Sequence, residues 1–189
     1  IGYATSPVIR GNLKGRWPQK KRWNRWVVYG EDVFLSVMLS HLDYAAVIHV
    51  SFYDLETGRS VDERYVFPMN RQLHLSEYVF DSTSFHHEQL SIQTTYLESA
   101  TTVTLNIPQF DNETLRVSLT MTHRKDDQSV NVVVPHKRKE FQLTSKHMTL
   151  PTEGSITLEN RHYTLAPQYS FSTFDFTRGV WSRDVDRYW

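Results

Sequence analysis

The side chains in this sequence that could transfer protons include nine histidines, and His49 has the setting best suited to acid–base chemistry. His49 lies within residues 44–55, where apolar side chains occupy both alternating faces of a predicted strand. Burial would lower the pKa of this imidazole, and an imidazole that faces a cavity could act as an acid or a base. The alternative, which physical grounds favour, is a core histidine held by hydrogen bonds with no chemical role.

The spacing of the potential ligands does not indicate a metal or cofactor site. His86, His87 and Glu88 are adjacent, but neighbours on a strand point to opposite faces, so the two imidazoles cannot easily hold one ion. The sequence contains no HExxH pair, no GxSxG elbow, no phosphate-binding glycine loop and no cysteine. Scattered histidines are the alternative route to a metal site. We predict no metal and no cofactor, and the sequence assigns no catalytic residue.

Acids, arginines and aromatic residues are concentrated around one glycine in residues 174–189. Asp175 and Arg178 are close enough in sequence to form a pair around a turn at Gly179, because glycine permits a sharp change of backbone direction. Trp181, with Tyr188 and Trp189 further on, supplies stacking area. Such a cluster either lines a ligand pocket or seals one end of a β fold, and physical grounds alone favour the seal.

Basic and tryptophan side chains alternate in residues 14–26 without one acid. Cations beside stackable rings are typical of single-stranded nucleic-acid binding, whereas the alternative is that the tryptophans close one end of the core. The whole chain has 21 basic and 21 acidic residues and a pI near 7.3, so it lacks the basic field that such binding needs. We therefore predict no nucleic-acid partner.

The chain has no apolar run as long as a transmembrane helix, so we predict no transmembrane segment and take the cytoplasm as the default location. It begins at Ile1 without a signal pattern, from which we expect an N-terminus that is cut or processed.

Alternating and β-branched segments predict an antiparallel β fold with few helices. Turn residues recur every 8–12 positions, which is typical of a sandwich or a barrel. Pro68, Pro135, Pro151 and Pro167 are predicted to mark strand boundaries, and residues 69–77 are the one predicted irregular or short helical link. The predicted strands are 26–29, 33–39, 44–55, 60–67, 78–85, 89–97, 101–107, 115–123, 129–134, 141–150, 154–159, 163–165 and 171–176.

Several motifs occur in an order that is similar to one known family. They are GYATSP at 2–7, the basic tryptophan stretch, LDY at 42–44, VSFYD at 50–54, PHK at 135–137, PTEG at 151–154, FDFTRGVW at 174–181 and YW at 188–189. This order resembles the bacterial DUF2804 family, a domain of unknown function whose members carry an aspartate, an arginine–glycine pair and a tryptophan at this place. The chain departs from the family at 21–26, where asparagine and arginine replace acids.

The resemblance implies a lipocalin-like, calycin-type barrel or strongly curved sheet, similar to the two-barrel superfamily of hydroxyneurosporene synthase and tocopherol cyclase. It also implies that this chain is the N-terminal half of a longer protein, with a second barrel downstream of Trp189. We therefore expect an irregular segment, 1–24, packed on a barrel domain, 25–189. An apolar cavity for a lipid-like or isoprenoid molecule is implied by analogy of fold, and no catalytic residue is implied.

On this basis we expect the chain to bind, or act on, a small apolar molecule inside the barrel. Asp175, Arg178 and Trp181 would line or close its mouth, and His49 and Asp43 would meet the ligand. The alternative is a non-enzymatic structural or protein-interaction domain in which Asp175 and Arg178 form a stabilising pair. A continuous apolar cavity reached by His49 or Arg178 would favour the first hypothesis, and a filled interior would favour the second.

Overall fold

The computed structural model describes residues 2–69, 71–136 and 139–181, and these residues form strands, turns and loops. No helix that could cross a membrane occurs among them. The strands are β1 Gly2–Ala4, β2 Lys20–Tyr29, β3 Val33–Leu42, β4 Ala45–Asp54, β5 Ser60–Pro68, β6 Thr83–His87, β7 Leu90–Leu97, β8 Ala100–Phe110, β9 Glu113–Thr122, β10 Ser129–Pro135, β11 Phe141–Leu158, β12 Arg161–Leu165 and β13 Phe171–Val180.

All strand pairs are antiparallel and form one continuous sheet that has two parts. The first part has the order β5-β4-β3-β2-β13-β11-β10-β1, and the second has the order β12-β11-β9-β8-β7-β6. Strand β11 belongs to both parts: residues 141–151 pair with β13 and residues 152–158 pair with β9. The curl of the sheet therefore depends on this one strand.

Strand β11 continues past Pro151, where the sequence predicts a break. Its register with β13 shifts between His147 and Leu150, and Thr149 has a φ of 56°. Such a bulge bends a strand and strengthens its twist, which carries β11 from the first part of the sheet to the second. Pro151 is tolerated beside the bulge because the hydrogen-bond ladder is already interrupted there.

The inner faces of the two parts pack directly on each other through one apolar cluster. Phe67 on β5 lies 5.0 Å from Phe85 on β6, measured between ring centroids, and Phe52 on β4 lies 5.7 Å from the ring of Tyr163 on β12. Burying apolar side chains of this size contributes roughly 1.5–3 kcal/mol each. The predicted all-β, antiparallel, strongly curved sheet is confirmed.

The boundaries near the N-terminus differ from the prediction of an irregular segment over 1–24. Residues 2–4 form β1, which pairs with β10, and β2 already begins at Lys20. The reason is alternation: residues 20–29 place every second side chain on the inner face, and the turn at 30–32 then returns the chain as β3. The division into an N-terminal segment and a barrel domain remains a prediction.

The segment between β5 and β6 contains less strand than the sequence indicates. A strand was predicted for 78–85, but β6 begins only at Thr83. Val79 and Phe80 pack their side chains against the inner cluster from a loop, so their apolar character arises from burial without strand pairing.

Candidate functional site

Arg178 lies on the inner face of β13, and its side chain is completely buried. Its Nε and Nη2 both donate to the carbonyl of Ser76, at 3.0 and 2.7 Å, and Nη2 also donates to Asn24 Oδ1 at 3.0 Å. Its Nη1 donates to the carbonyls of Trp23 and Thr177, at 2.9 and 2.8 Å. The five N–H groups of the guanidinium are thus all satisfied within the chain.

The partners of Arg178 are neutral. Burial, followed by the neighbouring guanidinium of Arg22, lowers the pKa of Arg178 to about 9, so the group stays charged at neutral pH. The ring of Phe176 lies 3.8 Å from its guanidinium carbon, where the π face stabilises a cation. Arg178 therefore ties β2, β13 and residue 76 together, and it has no donor left over for a ligand.

Gly179 is not the turn that the sequence predicts, because it lies within β13 as part of the strand. A Cβ at this position would lie 1.9 Å from Cζ3 of Trp181 and 2.7 Å from the carbonyl oxygen of Phe141. The glycine is required because the buried indole of Trp181 folds back over the strand. Trp181 also meets the ring of Trp23 edge to face at 5.8 Å, and this pair covers the outer face of the sheet beside Gly179.

Asp43 lies in the β3–β4 turn at the same end of the sheet as Arg178 and Trp181. Its Oδ2 accepts a hydrogen bond from the backbone N–H of Lys20 at 3.1 Å, and its Oδ1 lies 3.5 Å from Lys20 Nζ. Trp17 donates from Nε1 to the Asp43 carbonyl at 3.3 Å. Three of the five predicted site residues are thus brought to one end of the sheet, which we call the Arg178 end.

Asp175 lies on the outer face of β13, and the predicted pairing of Asp175 with Arg178 is wrong. Residues three apart on a strand point to opposite faces, and no turn intervenes to bring them together. The Asp175 carboxylate instead lies 3.6 Å from Lys146 Nζ and accepts from Thr177 Oγ1 at 3.1 Å. Burial raises the pKa of Asp175, partly offset by the positive charge of Lys146.

His49 also lies on an outer face, that of β4, and it does not face the interior. Its Nε2 is 2.7 Å from Asp62 Oδ1 on β5, and the carboxylate of Asp62 also accepts from Ser51. This bonding lowers the pKa of Asp62. His49 borders an open apolar groove of about 310 Å³ on this outer face, lined also by Met38 and Val47, which we call the outer groove. Val47, which alternates with the core residues of β4, lines this groove.

Two open grooves meet at the Arg178 end, on the side of the sheet where Arg178 is buried. The larger, of about 660 Å³, runs between residues 11–14 and 74–81, and we call it the strap groove. The smaller, of about 360 Å³, has Lys20, Asp43 and Arg71 in its wall, and we call it the Asp43 groove. The two grooves share Arg22, His74 and Leu75.

Arg22 is a residue of this region to which the sequence assigns no individual role. It pairs in register with Arg178 on one side and with His41 on the other, so the three side chains form one row on the inner face. Its half-buried guanidinium forms no hydrogen bond within the described residues. Burial lowers the pKa of Arg22, and Asp43 offsets this only in part.

A second polar cluster lies deeper in the fold around the ring of Phe80. The imidazoles of His123 and His147 both lie 4.7 Å from that ring, measured between centroids. His147 Nε2 is 3.0 Å from Ser145 Oγ, and His123 Nε2 is 2.7 Å from Thr101 Oγ1. Burial lowers the pKa of His147 to about 4 and also lowers that of His123. Neither these nor the other described residues form a group of three or more side chains that could hold a metal.

The tryptophans of the basic stretch do not form an exposed row. Trp26 is buried and stacks on Phe174 at 5.2 Å, and Trp23 packs on Trp181. Trp17 is 64% exposed. The flat, exposed set of rings that single-stranded nucleic-acid binding would need is therefore not present in residues 14–26. Tyr188 and Trp189, the last part of the predicted aromatic cluster, lie outside the described residues.

Comparison with known proteins identifies a family and a shared fold. The model of the family described as "Domain of unknown function (DUF2804)" matches residues 1–189. The crystal structure of a Nitrosomonas europaea protein described as a "putative ATTH" superposes with a TM-score of 0.51 at 11% sequence identity. The match covers 95% of this chain and 59% of that one, so this chain spans less than two thirds of its neighbour's length. No curated protein matches the sequence.

Proposed function

Since this chain belongs to the DUF2804 family and has a curled β fold like that of the Nitrosomonas europaea protein, we propose that it binds a small lipid-like or isoprenoid molecule. The ligand lies at the Arg178 end, in the strap groove, and not in the middle of the curled sheet. This proposal differs from our expectation of a central cavity, because side chains of the two inner faces meet across the interior.

The observation that carries the proposal is the open strap groove above a rigid floor. Its volume of about 660 Å³ falls within the range of small-molecule sites, roughly 300–1,000 Å³. Leu13, Leu75 and Tyr78 supply apolar lining, and the backbone carbonyl of Ser76 is already bonded to the guanidinium of Arg178. A floor held by this network is pre-organised, which reduces the entropic cost of binding.

Native mass spectrometry of the protein purified from its own host tests this proposal. We expect a small lipophilic molecule to remain bound, and a Leu13→Asp variant to lose it because a carboxylate in the groove disfavours an apolar ligand. Leu97→Asp is the matched control, since Leu97 is an exposed leucine on β7 away from the groove. Ligand-free protein, or equal retention by both variants, would contradict the proposal.

The second candidate function is that of a protein-interaction domain, which the outer face of the first part of the sheet favours. Tyr29 stacks with Phe171 at 4.9 Å and meets Phe34 edge to face at 5.5 Å, although Tyr29 and Phe171 are 36% and 42% exposed. The apolar outer groove lies on the same face. A second β domain of a longer chain would be the occupant, as the family resemblance implies, and the longer matched neighbour supports this choice.

Hydroxyl-radical footprinting tests the second candidate by comparing the 189-residue domain with the native protein from its host. Covering the outer face should protect Phe171 and Met148 in the native protein, while the exposed Met69 serves as an internal control. Equal modification of Phe171 and Met148 in both samples would rule out a covered outer face.

A further inference from the structure

Two arginines face each other at the Arg178 end without a carboxylate between them. Arg22 and Arg178 are direct cross-strand partners on the inner face, and the third member of their row is His41. Like charges placed directly opposite each other destabilise a sheet. The five N–H groups of Arg178 are used by neutral acceptors, so nothing in that row of side chains neutralises the two charges.

The carboxylate of Asp43, whose charge acts on Arg22, balances only part of this charge. Its oxygens are engaged by the backbone N–H and Nζ of Lys20, at 3.1 and 3.5 Å. The Asp43 groove also contains Arg71, and the adjoining strap groove contains Lys14. Neither side chain forms an ion pair with a described carboxylate. On the other side, Glu77 is paired with Arg10, which leaves Asp81 as the unpaired acid of the strap groove. The described groove walls therefore hold an excess of positive charge.

We infer that Arg22 is the head-group site for an amphiphilic carboxylate. The guanidinium of Arg22 receives the anion at the point where the strap groove and the Asp43 groove meet. A planar guanidinium with free N–H groups matches a carboxylate with two parallel hydrogen bonds. The apolar chain would then lie along Leu13 and Leu75 in the strap groove. A monoanion suits the site better than a doubly charged phosphate ester, because Asp43 lies beside Arg22 and repels additional negative charge.

This inference rests on the proposed function and adds the class of ligand to it. Titrations with decanoate, decan-1-ol and decyl phosphate, monitored by tryptophan fluorescence, test the class of ligand separately from the proposed function. We expect decanoate to bind about tenfold or more tightly than decan-1-ol, since hydrogen bonds to charged groups contribute about 1.5–3 kcal/mol. Decyl phosphate should bind more weakly than decanoate.

Variants of Arg22 identify the head-group site. Arg22→Gln should remove the preference for decanoate over decan-1-ol. Arg22→Lys, which keeps the charge and loses the fork, should retain part of the preference. Arg116→Gln is the matched control, because Arg116 is an exposed strand arginine away from the grooves. The far-UV circular dichroism of each variant shows whether it is folded.

The outcomes distinguish the inference from the proposed function. Equal affinities for decanoate and decan-1-ol, or an unchanged preference in Arg22→Gln, overturn the head-group assignment while the groove remains a binding site. Tighter binding of decyl phosphate overturns the choice of a carboxylate. Absence of binding by all three probes overturns the proposed function together with the inference.

Discussion

Arg178 shows how a charged side chain can act as a structural tie when all its partners are neutral. Removing the guanidinium would leave the buried carbonyls of Ser76 and Trp23 and the amide of Asn24 without their donor. Each unsatisfied buried group costs about 1–3 kcal/mol. We therefore expect Arg178→Ala to lower the free energy of unfolding by about 3–5 kcal/mol in urea denaturation.

The exposed Arg116 provides the control for Arg178, because Arg116→Ala should change the free energy of unfolding by less than about 0.5 kcal/mol. A loss below about 1 kcal/mol for Arg178→Ala would show that other groups or water replace the guanidinium.

His147 makes stability depend on pH in the mildly acidic range. Its pKa is about 4 in the folded protein because of burial, with nearby His123 lowering it further and Asp127 opposing, whereas an unfolded histidine has a pKa near 6.5. The unfolded chain therefore binds more protons between these values, and stability falls as the pH drops below about 6.5. Between pH 7.5 and 5 we expect a loss of about 2 kcal/mol from this residue.

Urea denaturation of the wild type and of His147→Gln at both pH values isolates the contribution of His147. Glutamine retains a donor near Ser145 and does not titrate, so the loss at pH 5 should be smaller by about 2 kcal/mol in the variant. The same decrease in both proteins would assign the pH dependence to other groups, of which His123 is the first candidate.

Part of the candidate site could be predicted from residue types and part could not. The structure brings Asp43, Arg178 and Trp181 to one end of the sheet, whereas Asp175, which the sequence groups with Arg178 and Trp181, lies on the face opposite Arg178 because the strand period is two residues. The sequence gives Arg22 no role of its own, because its importance comes from the register that places it opposite Arg178. Strands β2 and β13 are far apart in the sequence, so no hairpin turn sets the register between them.

At the scale of elements, β11 determines how the sheet curls, and Gly154 is a position of β11 where an added side chain would meet β9. The φ of Gly154 is 127°, and a Cβ there would lie 2.1 Å from the carbonyl oxygen of Ser118. Gly154→Ala would combine backbone strain with a clash against a paired strand, and we expect a loss of about 3 kcal/mol or more, measured by thermal or urea unfolding.

Gly58 is the matched control for Gly154, since its φ is 74° but the nearest atom to an added Cβ is 3.9 Å away. Gly58→Ala should cost only about 1 kcal/mol from backbone strain. Equal losses in the two variants would mean that the close contact with β9 relaxes at little cost.

Most strands could be predicted because one face of each is apolar, as in residues 115–123, which largely coincide with β9. The exceptions have specific physical causes. The sequence predicts a strand end at Pro151, but a bulge beside it allows β11 to continue. Residues 78–82 resemble a strand in composition, yet Val79 and Phe80 pack on the core from a loop.

At the scale of the whole molecule, the two ends of the curled sheet differ in how far their charges are compensated. The end opposite the Arg178 end, where β4 finishes at Asp54, is closed by acid–base contacts. The buried Asp54 pairs with Arg161 and accepts a hydrogen bond from Tyr163 Oη at 3.0 Å. Arg59 binds Asp111 and Glu113 at 2.8 and 3.0 Å, which joins the β4–β5 turn to the β8–β9 turn. The Arg178 end instead keeps open grooves with excess positive charge, which is why we locate ligand binding there.

The shared strand β11 also predicts how the molecule unfolds. The first and second parts of the sheet have no independent cores, because rings such as Phe67 and Phe85 meet across them in one apolar cluster. Loss of either part would expose the inner face of the other, so the two parts should unfold together in a single transition. Tryptophan fluorescence reports mainly on the first part, because Trp23 and Trp26 lie on β2 and Trp181 directly follows β13, whereas far-UV circular dichroism reports on strands of both. The two signals should therefore give the same midpoint in urea, and separate midpoints would mean that β11 joins two units of independent stability.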